Sequence, residues 1–370
     1  MKRSKPTFFD KLVRVLALAL ALALVLGFLA GRFDPRKYQL IAFFGLAYPF
    51  ILFLNIFMVI WWCLRRRWMF AIGTVALILV GWQALTATIG VFGDEDKGPK
   101  YKPASLRMMT YNVHSFKPYG LENVESVKQQ MLELIEKENP DVICFQEYFT
   151  RKKGSFDITD SLKRILKTKH FFFVPSSKND YEATGLAIFS RYPIKDTGTI
   201  AFGPNFGGNA SIFIDIEVNQ KKLRVYNIHL QSISFDKQDY SYIDKVAKKM
   251  NAGIKPSKRI LVLLRNAFLK RSEQVDIMKA HMATCSTSFL IAGDFNDTPA
   301  SYAVTQLTKS LHNTFQEEGT GLGRTYNGKF PNFQIDYIAT TKDIKVLNHL
   351  VIPAKLSDHF PVRSDLILTP

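Results

Sequence analysis

Residues 289–299 read FLIAGDFNDTP, an apolar run that ends at a glycine and continues into an acid and an amide two positions apart. The apolar residues before Gly293 predict a buried strand, and the glycine leaves room for another backbone to approach closely. Side chains two positions apart on a strand share a face. If strand geometry persists that far, Asp294 and Asn296 point to one side and Phe295 to the other.

The same pattern, a polar residue directly after an apolar run, recurs along the later chain. A single acid there is usually a turn or a helix cap, and a single histidine in a strand is usually structural. Several such residues at strand ends are typical of a binding or catalytic site. Oxygen ligands and imidazoles together suit hydrolysis at phosphorus assisted by Mg²⁺. The candidates are Asn112, Glu147, His229, Asp294, Asn296, Asp336, Asp358 and His359.

Short apolar runs alternate with amphipathic stretches from residue 106 onward, which predicts a mixed α/β domain with sheet packed against helices. Apolar spacing over 124–138 predicts a helix. Residues 211–230 predict two strands joined by a hairpin around 219–221. Asp297 and Thr298 are interpreted as a turn and a helix cap, outside the candidate site.

The first hundred residues contain three long apolar runs, at 12–30, 38–64 and 68–92. Each reaches the length of about 20 residues that a helix needs to cross a bilayer. We therefore predict a membrane anchor of three transmembrane helices over residues 1–92, a polar linker at 93–105 and a second domain at 106–370. A cleaved signal peptide is the alternative for the first run, which is longer than a usual signal core and is followed by two more runs.

Basic residues precede the first predicted span and fill the loop 65–67. The positive-inside rule then places the N-terminus in the cytoplasm and the large domain outside it, in the periplasm or extracellular space. The formal net charge is +17, roughly half of it in the first hundred residues. The remainder favours anionic partners such as phosphates, lipid headgroups or nucleic acid. The basic segment 237–279 is interpreted either as a solvated helix or as a surface that touches the membrane or covers the substrate.

Residues 105–370 contain a series of short motifs that resembles the endonuclease/exonuclease/phosphatase superfamily and follows the order of that family's motifs. In chain order these motifs are TYNVHSF, FQEY, GLAIFSRYPI, NIHLQS, GDFND, QIDYI and SDHFPV. The resemblance implies a four-layer α/β sandwich, two packed mixed sheets flanked by helices, with the site at one edge of both sheets. It also implies a divalent-metal-dependent phosphoesterase that uses Mg²⁺, with Mn²⁺ as an alternative.

The resemblance further implies roles for the candidates. Glu147 would bind the metal, with Asn112 and Asp358 beside it. Asp294 would position or activate the attacking water, and Asn296 would orient Asp294 and the phosphate.

The histidines would face the phosphate. His359 would contact it or act as a base, with Asp336 holding its other ring nitrogen, and His229 would be a candidate acid for the leaving oxygen. The chain departs from the family pattern at Gln334, where many members have arginine, and at His312-Asn313, where an acid is common. These departures leave the substrate contacts open.

The substrate is also open at this point. The membrane anchor, the basic segment and the HLQS wording at 229–232 favour a lipid or other small phosphodiester. The positive charge of the large domain favours a nuclease acting on extracytoplasmic DNA or RNA. A phosphomonoesterase and a non-catalytic binding member are further alternatives. The three cysteines form no metal motif or disulfide framework, and the sequence indicates no protein partner.

Overall fold

The computed structural model describes residues 7–91, 93, 98, 104–117, 124–203, 208–233, 235–236, 238–239, 241–243, 254–328 and 333–368. The chain forms two compact units. One unit consists of Met1–Thr88 together with Thr298–Gln306, and the other consists of Ile89–Asp297 and Leu307–Pro370. The division predicted from the sequence, with a linker at 93–105, does not include Thr298–Gln306 in the first unit.

The first unit is helical. Its helices are α1 (Phe8–Leu29), α2 (Gln39–Leu64), α3 (Trp68–Val80) and α4 (Trp82–Thr88), with a 3-10 turn at Ala30–Arg32. By length and composition, Phe8–Arg32 and α2 can each cross a membrane, and α3 with α4 can form a third crossing bent by 78°. The helical run predicted over 68–92 is interrupted at Gly81 and ends at Thr88, where strand β1 (Ile89–Val91) begins.

The second unit contains two large sheets. The first has the order β13-β15-β2-β3-β5-β4, with β14 also paired to β15, and the second has the order β10-β12-β9-β8-β7-β6. A short sheet pairs β1 with β11. The strands are β2 (Leu106–Asn112), β3 (Val142–Arg151), β4 (His170–Lys178), β5 (Glu182–Ser190), β6 (Asp196–Ala201), β7 (Ala210–Val218), β8 (Lys221–His229), β9 (Ser288–Asp294), β10 (His312–Asn313), β11 (Thr320–Leu322), β12 (Asp336–Thr340), β13 (Ile344–Val346), β14 (Leu350–Val351) and β15 (Val362–Leu368).

Helices cover the outer faces of both sheets. They are α5 (Val124–Glu138), α6 (Ile158–Ile165) and α7 (Ile254–Ala283). Two shorter helices follow in the chain: α8 (Tyr302–Thr308), of which Tyr302–Gln306 belongs to the first unit, and α9 (Thr314–Glu318). One apolar core lies between the sheets, and a second lies between the first sheet, α5 and α6. On the second sheet, the hydroxyl of Tyr226 is hydrogen-bonded to His281 of α7 at 3.1 Å. The four-layer α/β sandwich is therefore confirmed.

Strand alternation explains how one strand serves both cores. In β2, Leu106 and Met108 join the core between the sheets, whereas Met109 and Tyr111 join the core beneath the helices. A strand buried on both faces is apolar almost throughout, and each fully buried large side chain contributes about 1.5–3 kcal/mol.

Two local predictions are confirmed and a third is partly covered. Helix α5 spans the predicted residues 124–138. The predicted hairpin joins Val218 to Lys221 through Asn219 and Gln220, whose φ angles of 49° and 66° fit the two-residue turn that matches strand twist. The basic segment 237–279 contributes the first 26 residues of α7 (Ile254–Ala283), and much of its remainder lies outside the described residues.

Candidate active site

The site is built at the end of β9. Gly293 has a φ of +142°, and a Cβ there would lie 2.0 Å from the carbonyl oxygen of Ile228, so only glycine fits this position. The close packing brings Asp294 level with His229 on parallel strand β8 and with Asp336 on antiparallel strand β12. Three predicted site residues thus share one level across three neighbouring strands.

Three side chains surround one carboxylate oxygen of Asp294. Its Oδ2 accepts a hydrogen bond from Nδ2 of Asn112 at 3.1 Å. The same oxygen lies 3.7 Å from Nε2 of His229 and 3.6 Å from Nε2 of His359. The other ring nitrogen of His359, Nδ1, lies 3.0 Å from Oδ2 of Asp336. The structure therefore brings five predicted site residues together, all of them buried.

Burial and charge set the protonation of this group. Burial raises the pKa of Asp294 to about 6, although the charges of His359 and His229 oppose the rise. Burial lowers the pKa of His359, but the carboxylates of Asp336 and Asp294 outweigh it and raise that pKa well above its usual value. At neutral pH the site therefore combines an ionised acid of raised basicity with a protonated imidazole.

Asn296 reaches the site differently from the expectation. Strand β9 ends at Asp294, and Asn296 has a left-handed φ of 54°, so the alternation of a strand does not apply to it. Its backbone N–H donates to Oδ1 of Asp294 at 2.8 Å, while its side-chain Nδ2 donates to the carbonyl of Leu230 at 3.0 Å. The turn thus fixes one carboxylate oxygen and leaves the other facing the histidines.

The two residues interpreted as a turn and a helix cap make longer-range contacts. Asp297 is buried, and its Oδ2 forms an ion pair with Nε of Arg271 at 2.9 Å. The hydroxyl of Thr298 donates to the carbonyl of Gly45 at 3.2 Å. Arg271 belongs to the segment interpreted as basic surface, but its side chain is buried in α7.

A second carboxylate pair includes a histidine that the sequence reasoning passed over. Glu147 lies at an irregularity in β3 with a left-handed φ of 50°. Nδ1 of His114 lies 3.4 Å from Oε2 of Glu147 and 3.8 Å from Oδ1 of Asp358. The Glu147 hydrogen bond and the Asp358 charge outweigh burial and raise the pKa of His114. The only signal in the sequence was its place two residues after Asn112 in TYNVHSF.

These carboxylates fit a divalent cation. Burial raises the pKa of Glu147, but the His114 hydrogen bond and neighbouring imidazole charges outweigh it and lower the pKa to about 2. Glu147 and Asp358 already converge on the imidazole of His114, and their oxygens are the donor type that Mg²⁺ prefers. Oδ1 of Asn112, the third predicted ligand, accepts a hydrogen bond from the N–H of His114 at 3.2 Å.

A second group of ligand atoms lies at the Asp294 end. Atoms of Asp294, Asp336 and His359 all lie within 4.8 Å of one another. Nδ1 of His359 is hydrogen-bonded to Asp336 at 3.0 and 3.2 Å, so this nitrogen serves the histidine–aspartate pair. The Glu147 carboxylate, which is partly exposed, fits the role of metal ligand better.

A buried polar bridge between the sheets was also missed. Nε2 of Gln146 donates to Oδ1 of Asn227 at 2.6 Å, which joins β3 to β8. Nδ2 of Asn227 donates to the carbonyls of Phe145 and Ala187. Gln146 immediately precedes Glu147, and Asn227 lies two residues before His229, so the bridge connects the strands that carry these two predicted site residues. The signal for it was an amide in each of two apolar runs, VICFQ and RVYN.

Two departures from the family pattern, His312 and Asn313, make local contacts around α9. Oδ1 of Asn313 accepts from the N–H of Phe315 at 3.0 Å and caps α9. Nδ1 of His312 pairs with Oε1 of Glu317 at 2.8 Å. Gln334 is buried.

Comparison with known families identifies the large unit. A model described as the Endonuclease/Exonuclease/phosphatase family matches residues 109–359, and a model described as a domain of unknown function (DUF8431) matches residues 10–88. The chain therefore belongs to the Endonuclease/Exonuclease/phosphatase family. A search of curated proteins matched nothing.

Solved structures with this fold include three representative matches. The Leptotrichia buccalis family protein is 16% identical, with 71% of this chain and 99% of that chain covered and a TM-score of 0.50. The Bacteroides vulgatus protein is 17% identical, with 71% and 99% covered and a TM-score of 0.50. The human Nocturnin catalytic domain with bound sulfate is 15% identical, with 73% and 97% covered and a TM-score of 0.50. At these identities the likeness shows the fold alone.

Proposed function

We propose that the chain is a membrane-anchored, divalent-metal-dependent phosphoesterase that hydrolyses a phosphodiester at the end of β9. The observation that carries the proposal is the convergence of two imidazole Nε2 atoms, from His229 and His359, within 3.7 Å of one buried oxygen of Asp294. A general base flanked by two proton donors suits displacement at phosphorus. Family membership supports the same reaction class.

Asp294 is the proposed base. Its pKa of about 6 leaves it ionised at neutral pH yet basic enough to accept a proton from an attacking water. The water oxygen forms a bond to phosphorus while the ester P–O bond breaks. The N–H of Asn296 holds the other carboxylate oxygen in place during this transfer.

The histidines bind the phosphate and protonate the leaving group. His359, kept protonated by Asp336 and Asp294, donates to a non-bridging phosphoryl oxygen. His229, in its protonated form, donates to the departing oxygen, so the proton count balances between water and product alcohol. Asp336 holds the ring of His359 in the orientation that this requires.

Glu147 and Asp358 would hold the metal, with Asn112 beside them. When bound, Mg²⁺ or Mn²⁺ would polarise a phosphoryl oxygen and offset charge on the leaving group.

For the membrane anchor we propose three crossings with the N-terminus in the cytoplasm. The first unit groups Thr298–Gln306 with the connection between α1 and α2: Nε2 of Gln306 donates to the carbonyl of Gly31 at 2.9 Å. This favours the same side of the membrane for that connection and for the chain around residue 300. An odd number of crossings before residue 300 places that part of the chain on the same side as the connection between α1 and α2. The bent pair α3 and α4 is then the third crossing.

The proposed substrate is a lipid or small phosphodiester, because an anchored site meets substrates at the membrane surface. A nuclease is the second candidate, favoured by the positive charge of the large domain, which carries roughly half of the formal net charge of +17. The test uses the full chain in detergent micelles or nanodiscs with Mg²⁺ or Mn²⁺. Substrates are bis-p-nitrophenyl phosphate, phospholipid vesicles, plasmid DNA and RNA, each with and without EDTA.

EDTA-sensitive release of phosphorylated headgroups or of nitrophenol supports the proposal. Plasmid nicking without hydrolysis of the lipids would identify nucleic acid, and not lipid, as the substrate. Activity on phosphomonoesters alone would make the chain a phosphatase. The absence of EDTA-sensitive activity on every substrate would leave a binding role and overturn the enzyme assignment. His359→Ala is the matched inactive variant, expected to lose at least ~100-fold in turnover.

A further inference from the structure

The first unit contains a piece of chain that starts four residues after the proposed base. Thr298–Gln306 belongs to this helical unit, whereas Asp297 belongs to the other. Within the first unit the contacts of this segment are close. The Thr298 hydroxyl donates to the carbonyl of Gly45 at 3.2 Å, and a Cβ at Gly31 would lie only 2.1 Å from Oγ1 of Thr305. Glycine at position 31 therefore permits this approach.

Several residues of Thr298–Gln306 are buried, which agrees with a fixed contact between this segment and the helices of the first unit. Thr298, Ala300, Ala303 and Val304 are each no more than 4% exposed. A Cβ at Gly45 would lie 3.3 Å from the carbonyl oxygen of Ala300. Small residues at such a contact allow the two backbones to approach closely.

The other side of the junction is fixed as well. Nη1 of Arg271 donates to the carbonyl of Asn296 at 2.7 Å, and Nε pairs with Asp297. The hydroxyl of Tyr337 donates to the carbonyl of Asp297 at 2.9 Å. Because consecutive Cα atoms are about 3.8 Å apart, one peptide bond joins a residue held in one unit to a residue held in the other. A displacement of Thr298 is passed to the turn that orients Asp294.

We infer that the N-terminal helical unit is a positioning element of the active site as well as an anchor. Seating of Thr298–Gln306 against Gly31 and Gly45 holds the turn of Asp294–Asn296 in its reactive geometry, and unseating it loosens that turn. Gly31, Gly45, Thr298 and Thr305 are positioning residues in this arrangement. Only the kinetic part of the test below rests on the proposed function.

The test is hydrogen–deuterium exchange of the full chain in nanodiscs, read by mass spectrometry. Gly31→Ala places a methyl group against Thr305 and is expected to speed amide exchange across residues 295–306 by about tenfold or more. Peptides from β7 (Ala210–Val218) and β5 (Glu182–Ser190) are expected to exchange as in the wild type. Gly73→Ala is the matched control, since its Cβ would meet nothing within 4 Å.

A compensating variant distinguishes loss of the contact between residues 31 and 305 from general destabilisation of the fold. Thr305→Gly removes the atoms that the new methyl group meets, so Gly31→Ala combined with Thr305→Gly is expected to restore slow exchange at 295–297. If Gly31→Ala unfolds the whole chain, Thr298→Val replaces it, because this variant removes the hydroxyl bond to Gly45 and keeps a side chain of similar size. Either variant is expected to give the same local pattern.

Two results would overturn the inference: exchange at 295–297 equal to wild type in every variant, or faster exchange confined to 298–306. In the kinetic part, Gly31→Ala is expected to lower kcat about tenfold with KM within twofold, because the base moves while substrate contacts remain. Unchanged kcat in an active enzyme also contradicts the inference. If the wild-type chain hydrolyses no substrate, the proposed function is refuted. The hydrogen–deuterium exchange measurement still decides the positioning role in that case.

Discussion

Replacement of Asp336 by asparagine tests the core of the proposed site. The carboxylate lies 3.0 Å from Nδ1 of His359 and is buried. Asparagine can still accept the hydrogen bond, so the variant removes mainly the negative charge. A charge-assisted hydrogen bond exceeds a neutral one by about 1.5 kcal/mol, roughly tenfold, which sets the lower limit of the effect. Two unit charges 3.0 Å apart at an effective dielectric constant near 20 interact by roughly 5 kcal/mol, which sets the upper limit.

The direction in which pH changes the activity follows from the cause of the pKa shift of His359. The charges of Asp336 and Asp294 raise the pKa of His359, and the proposed reaction needs the protonated ring. Activity is therefore lost as pH rises through this pKa, and removing one charge lowers the pKa. Asp336→Asn is expected to move the alkaline limb of kcat to lower pH by at least about one unit.

The assay is hydrolysis of bis-p-nitrophenyl phosphate by the full chain from pH 5 to pH 10. At pH 8 the variant is expected to be at least about tenfold slower than wild type. Asp215→Asn is the control, since Asp215 pairs with Arg224 at 2.7 Å on another part of the sheet. An alkaline limb in the same place, with a rate within twofold of wild type, would refute the assigned roles of both Asp336 and His359.

Three further predictions concern the metal, the backbone and the base. Glu147→Gln is expected to weaken Mn²⁺ binding at least about tenfold in titration calorimetry, and unchanged affinity would remove Glu147 from the ligand set. Gly293→Ala is expected to destabilise the chain by about 3 kcal/mol or more in thermal unfolding, because of its φ of +142° and the nearby carbonyl of Ile228, and a melting temperature near wild type would contradict this reading. Because burial raises the pKa of Asp294 to about 6, kcat is expected to fall as pH drops through 6, and activity that is level down to pH 5 would exclude Asp294 as the base.

The sequence predicted the elements that depend on periodic burial. Helix α5 and the hairpin at Asn219 and Gln220 follow from residue spacing and turn chemistry, and both lie where predicted. The meeting of His229, Asp294 and Asp336 could be expected from motif order and from their places at strand ends. The strand pairing that brings them level is a property of the sheets, and no local pattern specifies it.

The parts that were missed depend on backbone torsions and on long-range pairing. His114, which was missed, has a left-handed φ angle, as do the predicted site residues Glu147 and Asn296. Such angles are uncommon for residues other than glycine, and no short sequence pattern predicted them here. Strain of this kind is found where surrounding structure holds it and where function uses it. All three lie in the candidate site.

Asp297 shows why a local interpretation of this loop could not be complete. An acid after a strand is usually a turn residue, yet its partner Arg271 lies on α7 in a segment whose composition suggests exposed surface. A buried pair costs desolvation energy unless its geometry and additional hydrogen bonds compensate, and Arg271 also donates to the carbonyls of Gln231 and Asn296. This arginine therefore links the loop after the His229 strand with the loop after the Asp294 strand. The same basic residue that contributes to an apparent surface charge acts inside the fold to hold together two loops of the proposed site.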